Sequence, residues 1–262
     1  MNARLVLAIL VTLVVAACAA RVPVRPAGTS VPDPTATVAF TQATAQCAGL
    51  KTLTAELRLS GRAGTEKLRG TLHAGLAAPA SLRFEAVAPF GQPFFILAGR
   101  DNRATLLLPR DDRVLTDAPV QDVLQRLTGL ALAANDLRMI LTGCLIERAV
   151  PVDGRRWDTG WRAVTVGNAI TAYMKDVDGR PTVIAADHGN WRVDYANYLN
   201  DWPRTVRIRS AVDGEVDMTA AIEQLEINSD IDDQAFTLTV PSTAAPMTLD
   251  HLRSVAPLRG TP

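Results

Sequence analysis

The chain is 262 residues long, with 27 basic and 27 acidic side chains and 48% apolar residues. Balanced charge argues against a nucleic-acid binder, which brings a basic excess, and a mean hydropathy of +0.10 argues against a disordered chain. Three cysteines are too few for a disulfide-dense scaffold or a self-sufficient zinc site, and aromatics at 5% leave any core to aliphatic side chains.

Residues 1–17 read MNARLVLAILVTLVVAA, with Arg4 as a short positive region and an apolar run from Leu5 to Ala17 broken only by Thr12. That run is shorter than the ~20 residues a membrane-spanning helix needs and fits the core of an export signal. Val15-Ala16-Ala17-Cys18 follows, a string that resembles the bacterial lipobox, in which the cysteine is lipidated and becomes the first mature residue. An ordinary signal peptide with a chance cysteine is the plainer alternative. Several acyl chains on Cys18 would give stable anchoring where one is marginal. Ala19, not Asp, comes next; by resemblance to Gram-negative lipoproteins this implies the periplasmic face of the outer membrane. Cleavage leaves 245 residues with a net charge near −1 in an oxidising compartment.

Residues 18–37 hold Pro23, Pro26, Pro32 and Pro34 without apolar periodicity and read as an extended tether. Phe40, Ala43, Cys47 and Leu50 share one face of a helix over 36–50. Alternation then begins, with Leu53, Ala55, Leu57 and Leu59, next Leu68 to Leu76, and then Leu82, Phe84 and Ala86. Each run is a half-buried antiparallel strand. Strands over 93–100 and 104–108 and near Val114 continue the pattern, with Asp101-Asn102 and Arg110-Asp111-Asp112 as turns.

Pro119 suits a first helical position for Val120, Val123, Leu124 and Leu127, with Gly129 as cap. A second short helix runs from Asn135 as N-cap through Leu137, Ile140 and Leu141 to Gly143. Strands are expected again at 161–167, 169–176, 181–187, 191–199, 204–210, 215–228 and 236–240, and a short helix with Leu249, Leu252 and Val255 near the end. The main domain is thus 38–245, followed by a tail over 246–262.

Catalytic signals are sparse. His73, His188 and His251 have no partner at metal-ligand spacing, no nucleophile elbow occurs, and Gly61 to Lys67 reads as a hairpin turn, not a phosphate loop. The acidic pairs at 111–112 and 230–233 read as solvated turns rather than a calcium site. No catalytic residue, metal or cofactor is assigned. Trp191, Tyr195, Tyr198 and Trp202 cluster in one segment, where core packing is favoured over a sugar platform; Tyr198 should face away from Tyr195 if the strand stays regular. After lipidation Cys47 and Cys144 remain, most simply as a disulfide closing a loop of nearly 100 residues, with two buried thiols as the alternative.

Val87-Ala-Pro-Phe-Gly91 joins two strands, and Phe90, between Pro89 and Gly91, is either an exposed tip or folds back under the sheet. With Leu127-Thr-Gly129, Asn135 to Gly143, Trp191-Arg-Val-Asp-Tyr195 and the closing run Ile227 to Pro241, this order is similar to the LolB family and the wider LolA-like group. LolB proteins are outer-membrane lipoproteins that receive lipoproteins from a periplasmic carrier, and a protruding Pro-Leu-Gly loop carries a functional leucine; Phe90 stands in the matching place. The proline tether, the extra length and the C-terminal extension depart from that family. The resemblance implies a mainly β fold, a single unclosed, curved antiparallel half-barrel of about 11–12 strands with short helices as a lid over an apolar cavity for acyl chains. Leu57, Leu59, Leu72, Phe84, Leu106, Leu127 and Ile140 are the cavity-lining candidates, with ordinary packed core as their alternative. The implied partners are acyl chains of lipid or lipoprotein cargo, the membrane through Cys18 and a periplasmic carrier protein; a monomer is expected. A structural lipoprotein of an envelope complex without cargo is the competing reading.

Overall fold

The structure is a computed structural model that describes residues 25–87, 93–145, 150–167, 169–211 and 215–255, with the side chains of 253–255 not included. Fifteen strands among these residues form one large, curved, unclosed sheet. After a two-residue edge strand, the chain enters the middle of that sheet. From β2 (Thr52–Ala63) it meanders outward through β3 (Glu66–Ala77), β4 (Ser81–Val87), β5 (Phe95–Arg100) and β6 (Arg103–Leu108) to β7 (Arg113–Pro119). It then crosses over two helices, α2 (Val120–Thr128) and α3 (Ala134–Thr142).

The second meander starts near the opposite edge with β8 (Pro151–Arg156) and returns inward. It runs through β9 (Arg162–Val166), β10 (Ile170–Val177), β11 (Arg180–His188), β12 (Trp191–Leu199) and β13 (Trp202–Ser210) to β14 (Val216–Ile227). β14 lies antiparallel to β2, from Val216 opposite Ala63 to Ile227 opposite Leu53. Two-residue strands finish the edges: β1 (Val31–Pro32) beside β8 and β15 (Ala245–Pro246) beside β7. The β15–β7 pair is parallel, the exception to an otherwise antiparallel arrangement.

Alternation explains the curvature's inner lining. Leu53, Ala55 and Leu57 of β2, Leu72, Ala74 and Leu76 of β3 and Leu82, Phe84 and Ala86 of β4 are buried, while their neighbours are more exposed. Hairpin turns use the residue types that tolerate left-handed backbone. Asp101 and Asn102 (φ 50° and 60°) join β5 to β6, and Asp178 and Gly179 (φ 50° and 77°) join β10 to β11.

Several expectations need correction. The strand count is fifteen rather than 11–12, because β1, β8 and β15 carry no alternation that would announce them. Residues 236–240 form no strand; Asp233–Phe236 is a 3-10 turn in which the Asp232 carboxylate accepts from the Gln234 N–H (2.8 Å), and Phe236 is buried. The first helix, α1 (Thr35–Ala43), is shorter than expected and gives way to a 3-10 turn at Ala45–Gly49. Ala133, not Asn135, is the N-cap of α3, its N–H donating to Asp136 (2.8 Å). Tyr198 does not face away from Tyr195: Asn197 (φ 56°) interrupts the alternation, and Tyr198 packs against the same core and donates its hydroxyl to the Val183 carbonyl.

Residues 25–33, expected as free tether, lie on the sheet. Val31 and Pro32 pair with Arg156 and Arg155 of β8. The Asp33 N–H donates to the Gly154 carbonyl (2.8 Å), an approach so close that a Cβ on Gly154 would stand 2.2 Å from the Asp33 carbonyl oxygen. The expected tail also packs: α4 (Leu249–Val255) lies against α2, with Leu252 buried and Asp250 paired to Arg126 at 3.2 Å. No helix among the described residues is long and apolar enough to cross a membrane.

Candidate functional site

The inner face of the sheet and the two crossover helices line an apolar cavity of about 100 Å³ that is partly open to solvent. β2, β3, β4 and β5 supply Leu57, Leu59, Leu72, Phe84, Phe95 and Leu97, and β13 and β14 supply Val206, Ile208, Met218 and Ala220. The roof is Leu124, Leu127 and Thr128 of α2, Leu132 of the linker, and Leu137, Ile140 and Leu141 of α3.

Sequence explains why these helices form a roof. α2 buries Val120, Val123, Leu124 and Leu127, a single stripe at helical spacing, and ends on left-handed Gly129, whose N–H donates to the Gln125 carbonyl (2.9 Å). α3 is buried on more than one side because it is held from behind. A Cys47–Cys144 disulfide (Cα–Cα 5.5 Å) fixes its C-terminal end, and Arg138 donates to the Leu50 carbonyl (3.2 Å).

The walls hold one polar side chain among the described residues, Thr128. Its hydroxyl donates to the Leu124 carbonyl (2.8 Å) and accepts from the Leu130 N–H (3.2 Å), so it offers nothing to an occupant. A polar ligand would lose its hydrogen bonds to water on entering; a hydrocarbon would not.

Six of the seven residues named from the sequence, Leu57, Leu59, Leu72, Phe84, Leu127 and Ile140, stand around this cavity. Leu106 does not: on β6 it is fully buried between Leu97 of β5 and Leu115 of β7. Residues on β13 and β14 that sequence reading omitted also line the cavity, and their alternation was the signal available for them. Cys18 and the Pro89-Phe90-Gly91 loop lie outside the described residues.

Elsewhere, a wider cleft of about 430 Å³ opens on the outer face, where the charged Glu56, Arg83, Glu85 and Glu226 stand beside Leu225, Ile231 and Phe236, a mixed lining unlike the aliphatic walls of the first cavity. His188 stacks on Trp191 with ring centroids 5.0 Å apart. Tyr195 is fully buried, and burial pushes its hydroxyl well above the usual phenol range. Among the described residues no group of three or more His, Cys, Asp or Glu could hold a metal ion.

No family model and no curated relative matches the sequence. Solved structures do match the architecture. A LolA superfamily protein from Nitrosomonas europaea superposes with a TM-score of 0.51 at 10% identity, covering 79% of this chain and 98% of that one. The fold is LolA-like. A domain described as an outer membrane lipoprotein-sorting protein, from Vibrio parahaemolyticus, gives a TM-score of 0.48 at 11% identity over 76% and 95% of the two chains. A DUF1329 family protein from Desulfovibrio piger gives 0.48 at 9% over 79% and 97%. At 10% identity the Nitrosomonas europaea superposition shows the LolA-like fold and nothing finer.

Proposed function

We propose that the protein is a lipid-anchored component of the cell envelope, held through Cys18 at the periplasmic face of the outer membrane, that binds acyl chains of lipid or lipoprotein cargo non-covalently. It is read as a binding protein, not an enzyme. The observation that carries this reading is the cavity between the LolA-like sheet and α2–α3, walled by aliphatic and Phe side chains with Thr128 self-satisfied. Dry apolar cavities accept flexible hydrocarbon.

At roughly 10–15 Å³ per small occupant, about 100 Å³ holds roughly seven to ten methylene-sized groups and not a whole long acyl chain. Loading therefore requires α2 and α3 to shift outward. The same small volume is what favours the second reading, a structural lipoprotein without cargo.

Phe90 is assigned a membrane-contact role: one aromatic side chain entering the lipid interface contributes about 1.5–3 kcal/mol, enough to bias delivery without permanent insertion. The partner implied is a periplasmic carrier that meets a monomer of this protein.

Protein purified without its anchor, extracted with organic solvent and analysed by mass spectrometry, should yield bound fatty acid or phospholipid. Empty protein that also fails to take up a fluorescent fatty acid would overturn the cargo reading in favour of the structural one.

A further inference from the structure

We infer that the sheet edge formed by β1 and β8, with the neighbouring face of α1, is the surface this protein turns to the bilayer. The inference rests on the reading of Cys18 as the anchor and adds an orientation to it.

Residues 25–33, a strap laid on the sheet, fix where the leash from Cys18 begins. Arg25 lies on the outer face of the sheet, opposite the cavity, because Asp194 alternates with the core residues Val193 and Tyr195. It donates to Asp187 (2.6 Å) and to the Ala186 and Val193 carbonyls (each 3.1 Å), and pairs with Asp194, whose side chain is 3% exposed. Arg209 holds the other oxygen of Asp194 at 2.6 Å, and the Tyr173 ring centroid lies 5.7 Å from the Arg25 guanidinium. Removing Arg25 would leave a buried carboxylate short of a partner.

From there the chain is bound at each step. Trp157 donates to the Gly28 carbonyl (3.3 Å), and Arg155 donates to the Ser30 hydroxyl (2.6 Å) and carbonyl (2.9 Å). The chain then rounds the β8 edge as β1 and continues into α1, whose Ala36, Ala39 and Phe40 join the core.

Only residues 18–24 are left between anchor and strap. Seven Cα–Cα steps reach at most about 25 Å, whereas a compact body of some 200 residues is about 40 Å across. The side opposite the strap cannot face the membrane while the strap holds. The strap side carries the apolar surface to match. Among the described residues seven large hydrophobics are exposed, and four of them, Val31, Val38, Val150 and Val152, fall on β1, α1 and the start of β8. β8 is paired by β1 at Arg155 and Arg156 and held by Asp33 through the Gly154 carbonyl, so among the described residues only its start, Pro151 to Asp153, is an edge without a strand beside it, with Val152 exposed on it. The leash begins at Arg25 on β11 and β12, three strands from β8, and so keeps that edge within reach of one occupant, the bilayer that bears the chain's own acyl groups.

Hydrogen exchange tests this on full-length acylated protein in nanodiscs of phosphatidylcholine and phosphatidylglycerol, compared with the same protein lacking Cys18. Anchoring should slow exchange severalfold in segments 28–38 and 150–156. Absence of protection in these two segments, whatever is protected elsewhere, overturns the assignment. A Gly/Ser spacer of about 20 residues between Val24 and Arg25, adding some 25 Å of root-mean-square reach, should abolish the difference; unchanged protection means the leash does not set the orientation and overturns it too. The mass of the mature protein reads acylation of Cys18 separately, so failure of the anchor is told apart from failure of the orientation.

Discussion

Gly129, the last turn of the roof helix α2, lies against Val216 at the start of β14: a Cβ added to Gly129 would stand 2.8 Å from the Val216 Cγ2. The contact seats the roof on the sheet. It also works in a left-handed conformation (φ 82°) that favours glycine.

Gly129→Ala should therefore cost about 1–2 kcal/mol for the backbone and more for displacing Val216. Gly160→Ala is the control, with φ 78° and nothing within 4 Å of its Cβ. Urea unfolding should show the Gly129 variant less stable than the Gly160 variant. Equal losses would show that the roof yields freely at this point.

The disulfide joins the α1 segment to the end of α3 across a separation of 97 residues. On the chain-entropy model a loop of that size contributes about 4–5 kcal/mol. The Cys47→Ser/Cys144→Ser double variant should show a loss of that order in its urea midpoint, with the far-UV dichroism of the sheet retained.

Ala220 stands on the cavity wall and Leu106 does not. Ala220→Met fills room otherwise open to about two or three methylenes, each contributing about 0.8 kcal/mol, so fatty-acid affinity should fall roughly fifteen- to sixtyfold without loss of stability. Leu106→Ala should do the reverse, costing about 2–5 kcal/mol of stability with affinity unchanged. A fluorescent fatty acid titration alongside thermal melts separates the two.

Arg207 donates to both oxygens of Asp217, at 2.6 and 2.5 Å, and holds that carboxyl below its ordinary value of 3.8. Folding therefore favours the ionised form. The stabilisation is complete above the unfolded carboxyl's value near 4 and is lost as pH falls through the lower folded value. The pair is partly exposed, so the effect is at most about 1 kcal/mol. Asp217→Asn should melt with a shallower acid limb than the parent, and the two curves should differ most at neutral pH and converge below pH ~3.

The half-barrel was legible because its strands alternate: Leu53 to Leu59, Leu68 to Leu76 and Leu82 to Ala86 announce both their type and their buried face. The same alternation marked the inward-facing residues, six of which stand around the cavity, but could not separate wall from packed interior, which is why Leu106 was grouped with them. That distinction depends on where α2 and α3 come to rest. The strap was illegible for a different reason. Gly28, Ser30 and Asp33 are held by backbone pairing and polar contacts, and Val31-Pro32 is too short to show a period. Tyr198 was misplaced by one residue's backbone, Asn197, which no periodicity reveals.

The meeting of β14 with β2 has a consequence for how the protein is made. β2 is among the first long strands to emerge and β14 the last, yet they are neighbours through Val216–Ala63 to Ile227–Leu53. Until β14 is synthesised, one long side of β2 has no hydrogen-bonding partner, and the N-terminal meander presents an open template for mispairing. High contact order makes such closure slow. A chain truncated before β14 should therefore aggregate rather than fold as half a sheet.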